Sequence, residues 1–110
     1  MPQPPTEYTS FLTDIDRISV RIERNRHSVT SFSVQYEALI NSRWRKIVRY
    51  DSADGFPHRH IFHADKKEYR QLMSVVDNNE ALSEALTIIK KKFQVMRTNY
   101  IAQAHIDEVN

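Results

Sequence analysis

No cysteine occurs among the 110 residues. Disulfides, thiolate metal sites and thiol nucleophiles are therefore excluded, and cysteine usage says nothing about redox compartment. A single glycine, Gly55, rules out a P-loop or any other glycine-rich phosphate cradle. No apolar run approaches the ~18 residues that a membrane-spanning helix needs. The opening MPQPPTEYTS has neither the basic start nor the apolar stretch of a signal peptide, so a cytoplasmic location without membrane contact is expected. Three of the four prolines fall within residues 1–10. That stretch reads as a flexible lead to a single domain over 11–110.

What is present suits a soluble globular chain, with 40% hydrophobic and 27% charged residues. A chain of this size can bury roughly 60–65% of its unfolded surface and fold without staples. Phe11, Leu12 and Ile15 can anchor a short turn or the start of a strand. From 18 to 24, Ile18, Val20 and Ile22 alternate with Ser19, Arg21 and Glu23, the period of a half-buried strand. A polar RNRHS turn follows. A longer strand over 29–40 then puts Phe32, Val34, Tyr36, Ala38 and Ile40 on one face. Asn41-Ser42 suits a two-residue hairpin. A third strand over 43–50 is expected to set Trp44, Val48 and Tyr50 on one face and Arg43, Arg45 and Arg49 on the other. Asp54-Gly55-Phe56-Pro57 reads as a turn, with Gly55 and Pro57 as its structural residues. A fourth strand begins at His58. Residues 65–76 fit either a helix, from the spacing of Tyr69, Leu72, Met73 and Val76, or a hairpin running back along the fourth strand.

The last segment is helical without ambiguity. Asp77 caps it, Glu80 sits three residues on, and Leu82, Ala85, Leu86, Ile89, Phe93, Met96 and Tyr100 make one stripe ending near Ala104. Such a helix is roughly 40 Å long, against about 27 Å for an eight-residue strand. It should overhang the sheet with Met96, Tyr100 and Ile101 still apolar, to be covered by the N-terminal segment or by a second chain, with a homodimer through the helix as the favoured reading. The expected architecture is α+β: an antiparallel sheet of four to five strands, then one long C-terminal helix packed on one face.

Net charge is only +2, but between Arg17 and His60 nine Arg/Lys stand against four acids, a local excess of 9 − 4 = +5. Eight of the nine are arginine, whose planar fork suits phosphate. The alternative is a solvated outer sheet face.

Residues 50–63, YDSADGFPHRHIFH, hold three of the five histidines. In an extended strand His58 and His60 share one face, and Arg59 and His63 the other. Three readings stand side by side: polar strand residues without a chemical role; a metal site in which His58 and His60 join Asp51 or Asp54; and metal-free acid–base work. Two imidazoles can divide acid and base roles near neutral pH. With Arg43, Arg45, Arg49 and Arg59 nearby to hold phosphate, Asp51 to orient an imidazole and Tyr50 on the same rim, that chemistry suits RNA transesterification. Trp44 within RWRK can stack on single-stranded nucleic acid or belong to the core, and Lys90-Lys91-Lys92 reads as the solvated side of the helix.

The run VRYDSADGFPHRHIFH resembles the signature of TumE-like small toxins of prokaryotic toxin–antitoxin systems and their relatives. The resemblance covers 43–95, including RWRKIVRYD before the run and EALSEAL after it, and is most specific over 48–60. Its matching positions are Arg49, Tyr50, Asp51, Gly55, Pro57, His58, Arg59 and His60. Ser52 and Asp54 depart from it, standing where Asn and His are expected. It implies an α+β toxin acting on RNA and neutralised by a helix-turn-helix antitoxin. The expected function is thus a toxin that is a metal-independent ribonuclease needing no cofactor, with His58, His60, Asp51 and Tyr50 catalytic. A non-catalytic nucleic-acid- or protein-binding module using the basic sheet face and a metal-dependent hydrolase are the alternatives.

Overall fold

A computed structural model describes residues 3–109. Six strands form one antiparallel meander in the order of the chain: β1 (Thr6–Thr13), β2 (Asp16–Asn25), β3 (Ser28–Ile40), β4 (Arg43–Asp51), β5 (His58–Phe62) and β6 (Glu68–Leu72). A 3-10 turn, Ala53–Gly55, links β4 to β5, and α1 (Asn78–Val109) closes the fold. The architecture is the expected α+β arrangement, with one strand more than the four to five anticipated.

The extra strand comes from the two edges. Residues 6–10, expected to belong to a flexible lead, pair with β2 from Thr6↔Ile22 to Ser10↔Ile18. Residues 1 and 2 of that lead lie outside the described residues. At the other edge, 65–76 resolves as the hairpin. Asp65 Oδ1 accepts the Lys67 amide at 2.9 Å, and Lys66 adopts φ 72°. This side-chain-closed turn reverses the chain before a helix can start.

Strand alternation sorts the sheet into two faces. Ile18, Val20, Ile22, Phe32, Val34, Tyr36, Ala38, Val48 and Tyr50 are buried against Ala81, Leu82, Ala85 and Ile89 of α1. The opposite face is open and polar. A bulge interrupts this order. Tyr36 pairs with Val48 but Glu37 with Lys46, so Ile47 is an extra residue on β4. One inserted residue flips every side chain before it. Trp44 therefore lies on the open face, not beside Val48 and Tyr50 as expected, with the Arg17 guanidinium 4.0 Å from its ring centroid. Arg43 and Arg45, paired with Ile40 and Ala38, are turned to the face opposite Arg49.

The Asp77 carboxylate accepts the Glu80 amide at 3.1 Å and caps α1, as the spacing implied. Asn78 and Asn79 tie the first turn to β3, the latter accepting the Val29 amide at 2.8 Å. Farther along, Arg97 and the Tyr36 and Thr13 hydroxyls all donate to the fully buried Asp16 carboxylate. Burial opposes ionisation of Asp16, but these three donors together hold its carboxyl below the ordinary value. Burial, with the Asp16 carboxylate beside it, pushes the Tyr36 phenol up.

The helix runs past the expected end near Ala104. At ~1.5 Å per residue it is about 48 Å long, close to the 52 Å length of the molecule. Near its end the turn between β5 and β6 approaches it, bringing His63 and Asp65 close to Asp107. Val95, Ile101 and Ile106 stay exposed. No described helix is long and apolar enough to cross a membrane.

Candidate nucleic-acid interface

The histidine stretch folds around the β4–β5 connection. Asp54 and Gly55 take positive φ of 67° and 90°, and the Gly55 amide reaches Ser52 O at 3.1 Å. Ser52 anchors the turn to β3 by accepting the Phe32 amide at 2.9 Å. Pro57 is fully buried, and its carbonyl accepts the Met73 amide. Gly55 and Pro57 therefore act as turn residues, as expected.

Pairing Asp51↔His58 and Arg49↔His60 places all four on the open face. Arg49 Nε donates to Asp51 Oδ2 at 2.8 Å, and the Ala53 amide to Oδ1 at 3.2 Å. His60 Nε2 lies 3.1 Å from Asp51 Oδ2, in contact but out of hydrogen-bond alignment. Its Nδ1 is paired with Glu68 of β6, and the hydrogen bond to His60 is the main reason the Glu68 carboxyl is lowered. The ring is 5% exposed and stacks on Phe62 at 6.2 Å. With a carboxylate at each nitrogen, His60 joins β4, β5 and β6, and neither nitrogen faces solvent.

His58 is half-buried, its ring 6.4 Å from that of His60, and its Nδ1 is buried without a hydrogen-bond partner. Tyr50 does not share this rim. It faces α1, and burial is the first cause of its raised phenol pKa. Arg59, paired with Tyr50, is on the helix face as well and binds Gln71. The expected phosphate-holding set is thus dispersed: Arg49 on the open face and engaged by Asp51, Arg59 on the helix face, and Arg43 and Arg45 at the far end of β4. Among the described residues, the donor atoms of His58, His60 and Asp51 do not converge as a metal site requires.

The open face is also less basic than the chain segment suggested. Arg17 pairs with Glu37 at 2.7 Å, Arg21 with Glu23 at 2.9 Å and with Glu7, and Arg70 with Asp54 at 3.1 Å. One of the compensating acids, Glu7, comes from outside the segment that carried the +5 excess.

Uncompensated cations collect elsewhere. Pairing of β4 with β5 stops at Val48↔Ile61, and beyond it the strands diverge. The gap is a cleft of about 520 Å³, lined by Trp44, Arg45, Lys46, Phe62, Lys66 and Lys67 among others. Lys46 Nζ sits 4.4 Å from the Phe62 ring centroid. Among the described residues Arg45, Lys46 and Lys66 make no ion pair, and Lys67 has only Asp65 at 3.8 Å. Two acids reach the cleft, Glu37 and Glu68, and both are engaged, by Arg17 and His60. Positive charge beside aromatic walls, in a volume typical of small-ligand sites, suits a planar anionic ligand such as a nucleotide. Sequence reasoning named Arg45 and Trp44, with Lys46 inside RWRK, but missed Lys66 and Lys67. The available signal was topological: in a meander the β3–β4 and β5–β6 turns lie at the same end, so RWRK and DKK come together.

A family model described as a domain of unknown function (DUF7718) matches residues 3–106, and the chain belongs to that family. No curated protein and no solved structure matched it.

Proposed function

We propose that this member of a family of unassigned function binds single-stranded RNA through the cleft between the diverging ends of β4 and β5. The carrying observation is the segregation of charge. Arginines over the open face are engaged by carboxylates, whereas Arg45, Lys46 and Lys66 stand unpaired around Trp44 and Phe62. Cations track the phosphates of a strand while aromatic rings take its bases, and a single strand can enter an open cleft that a duplex cannot. The TumE-like signature supports the same ligand class from sequence alone.

The test is fluorescence anisotropy of the purified chain with an end-labelled RNA oligonucleotide. Three to four phosphate contacts give a log–log salt slope of about −2 to −3 for single strands. Lys46→Glu combined with Lys66→Glu should abolish binding, while His58→Gln, outside the cleft lining, should leave it intact. A salt-independent affinity, or binding that survives the double charge reversal, would sink the proposal.

RNA cleavage is a second reading, favoured by one observation, the unpartnered Nδ1 of His58 on the open face beside Arg49. In that version His58 is the acid–base group, and His60 and Asp51 position it. Cleavage of end-labelled RNA that persists in EDTA and disappears in His58→Ala would support it, and a helix-turn-helix antitoxin partner would follow from a toxin role. Intact RNA in both tubes leaves binding as the activity.

A further inference from the structure

Away from the cleft's cations, the same hairpin brings together a different set of side chains. We infer that His63, Asp65 and Asp107 form a divalent-cation site, of the class that takes Zn²⁺ or Mn²⁺, fastening the β5–β6 turn to the last turns of α1. One donor atom from each residue lies within 4.8 Å of the other two.

The three donors arrive from two elements far apart in sequence, and each is oriented. Asp107 Oδ1 accepts from Gln103 Nε2 at 3.0 Å, whereas Oδ2 is buried and has no hydrogen-bond partner. Asp65 Oδ1 accepts the Lys67 amide, leaving Oδ2 with only the exposed Lys67 ammonium at 3.8 Å. The His63 ring packs on Tyr69, with centroids 4.8 Å apart, and its backbone is fixed on both sides by bonds to Lys66 and Lys67. A buried carboxylate oxygen without a hydrogen-bond partner, on a residue grouped with a second carboxylate and an imidazole, is unfavourable until water or a cation satisfies it, and two carboxylates with an imidazole favour the cation. One nitrogen and two oxygens form a borderline donor set that suits zinc or manganese, with water completing the shell. A tetrahedral ion with bonds of ~2.1 Å holds its ligands roughly 3.4 Å apart. The donors therefore close slightly on binding, and Asp65, at the exposed turn, is the one free to move.

His63 also lines the cleft, so the site is tested without RNA. Full-length chain, stripped with EDTA and exchanged into a non-coordinating buffer, is titrated calorimetrically with zinc chloride and separately with manganese chloride. One ion per chain is expected. Zinc held a hundredfold above its Kd should raise Tm by about 10 °C. His63→Ala and Asp107→Asn should each weaken binding at least tenfold while retaining the wild-type circular dichroism spectrum. His27→Ala and His105→Ala, which change histidines outside the trio, should bind as wild type. Absence of binding at millimolar zinc or manganese overturns the inference, as does wild-type affinity in either His63→Ala or Asp107→Asn.

Discussion

Asp16→Asn isolates the charge at the centre of the helix–sheet lock. The carboxylate is fully buried and accepts from Thr13, Tyr36 and Arg97, the last reaching across from α1. An amide of the same shape keeps one acceptor, loses the charge that Arg97 faces, and turns its NH₂ either on the Tyr36 hydroxyl, in the Oδ1 position, or on Thr13 and Arg97, in the Oδ2 position. Breaking a buried ion pair costs about 3–5 kcal/mol. The Arg97 side chain is 23% exposed and regains some water, so a loss of about 3 kcal/mol is expected here. With a urea m-value near ~1.5 kcal/mol/M, the midpoint falls by about 2 M. The sole tryptophan, Trp44, is half-buried beneath Arg17 and reports the transition by fluorescence. pH dependence supplies a second signature. Because the folded-state pKa of Asp16 is depressed, its contribution is fully present above the unfolded value of ~3.9 and is lost as pH falls through the folded value. Wild type should therefore lose stability in that acid range and the variant much less. A midpoint shift below about 0.5 M, or identical acid profiles for the two proteins, would refute the lock.

Two further outcomes follow from the same physical reasoning. His60→Gln cannot span from Asp51 to Glu68. Amides of β6 should then exchange about 10-fold or more faster, for a loss of ~1–3 kcal/mol at that edge, while carbon-detected titration of Glu68 should move up toward its ordinary ~4.3. Ser42 holds φ 65° in the β3–β4 turn, a conformation costing a non-glycine residue about 1–2 kcal/mol. Ser42→Gly should stabilise the chain by about 1 kcal/mol in chemical denaturation, and a destabilised variant would contradict the strain.

The central elements were legible because their periods are clean. Ile18, Val20 and Ile22 alternate without interruption, and the stripe from Leu82 to Tyr100 keeps helical spacing. The edges were not, since a strand paired on one side only has little to bury: every residue of β6 is exposed, so no pattern marks it. The bulge at Ile47 had one visible sign, two adjacent apolar residues, Ile47-Val48, in a strand otherwise read as alternating. Missing it put Trp44 on the wrong face and gathered Arg43, Arg45 and Arg49 on one side. For the histidines, period-two alternation correctly placed His58 and His60 together and His63 opposite. Nothing local could reveal that Glu68, eight residues beyond His60, would close the second nitrogen. Ion pairing depends on register, and register across six strands is set by turns whose geometry a composition count does not see.

The meander has a kinetic consequence. Each strand pairs with its neighbour in sequence, so hairpins can zip one after another at small loop-closure cost. The contacts that finish the fold are of another kind: Asn79 to Val29 and Arg97 to Asp16 join positions 50 and 81 residues apart. Since α1 follows all six strands, a growing chain presents its apolar sheet face uncovered until the helix has been made. Collapse of the sheet and capture by the helix are thus separated in time during synthesis, and that interval is when the strand edges and the bare face are most exposed to association.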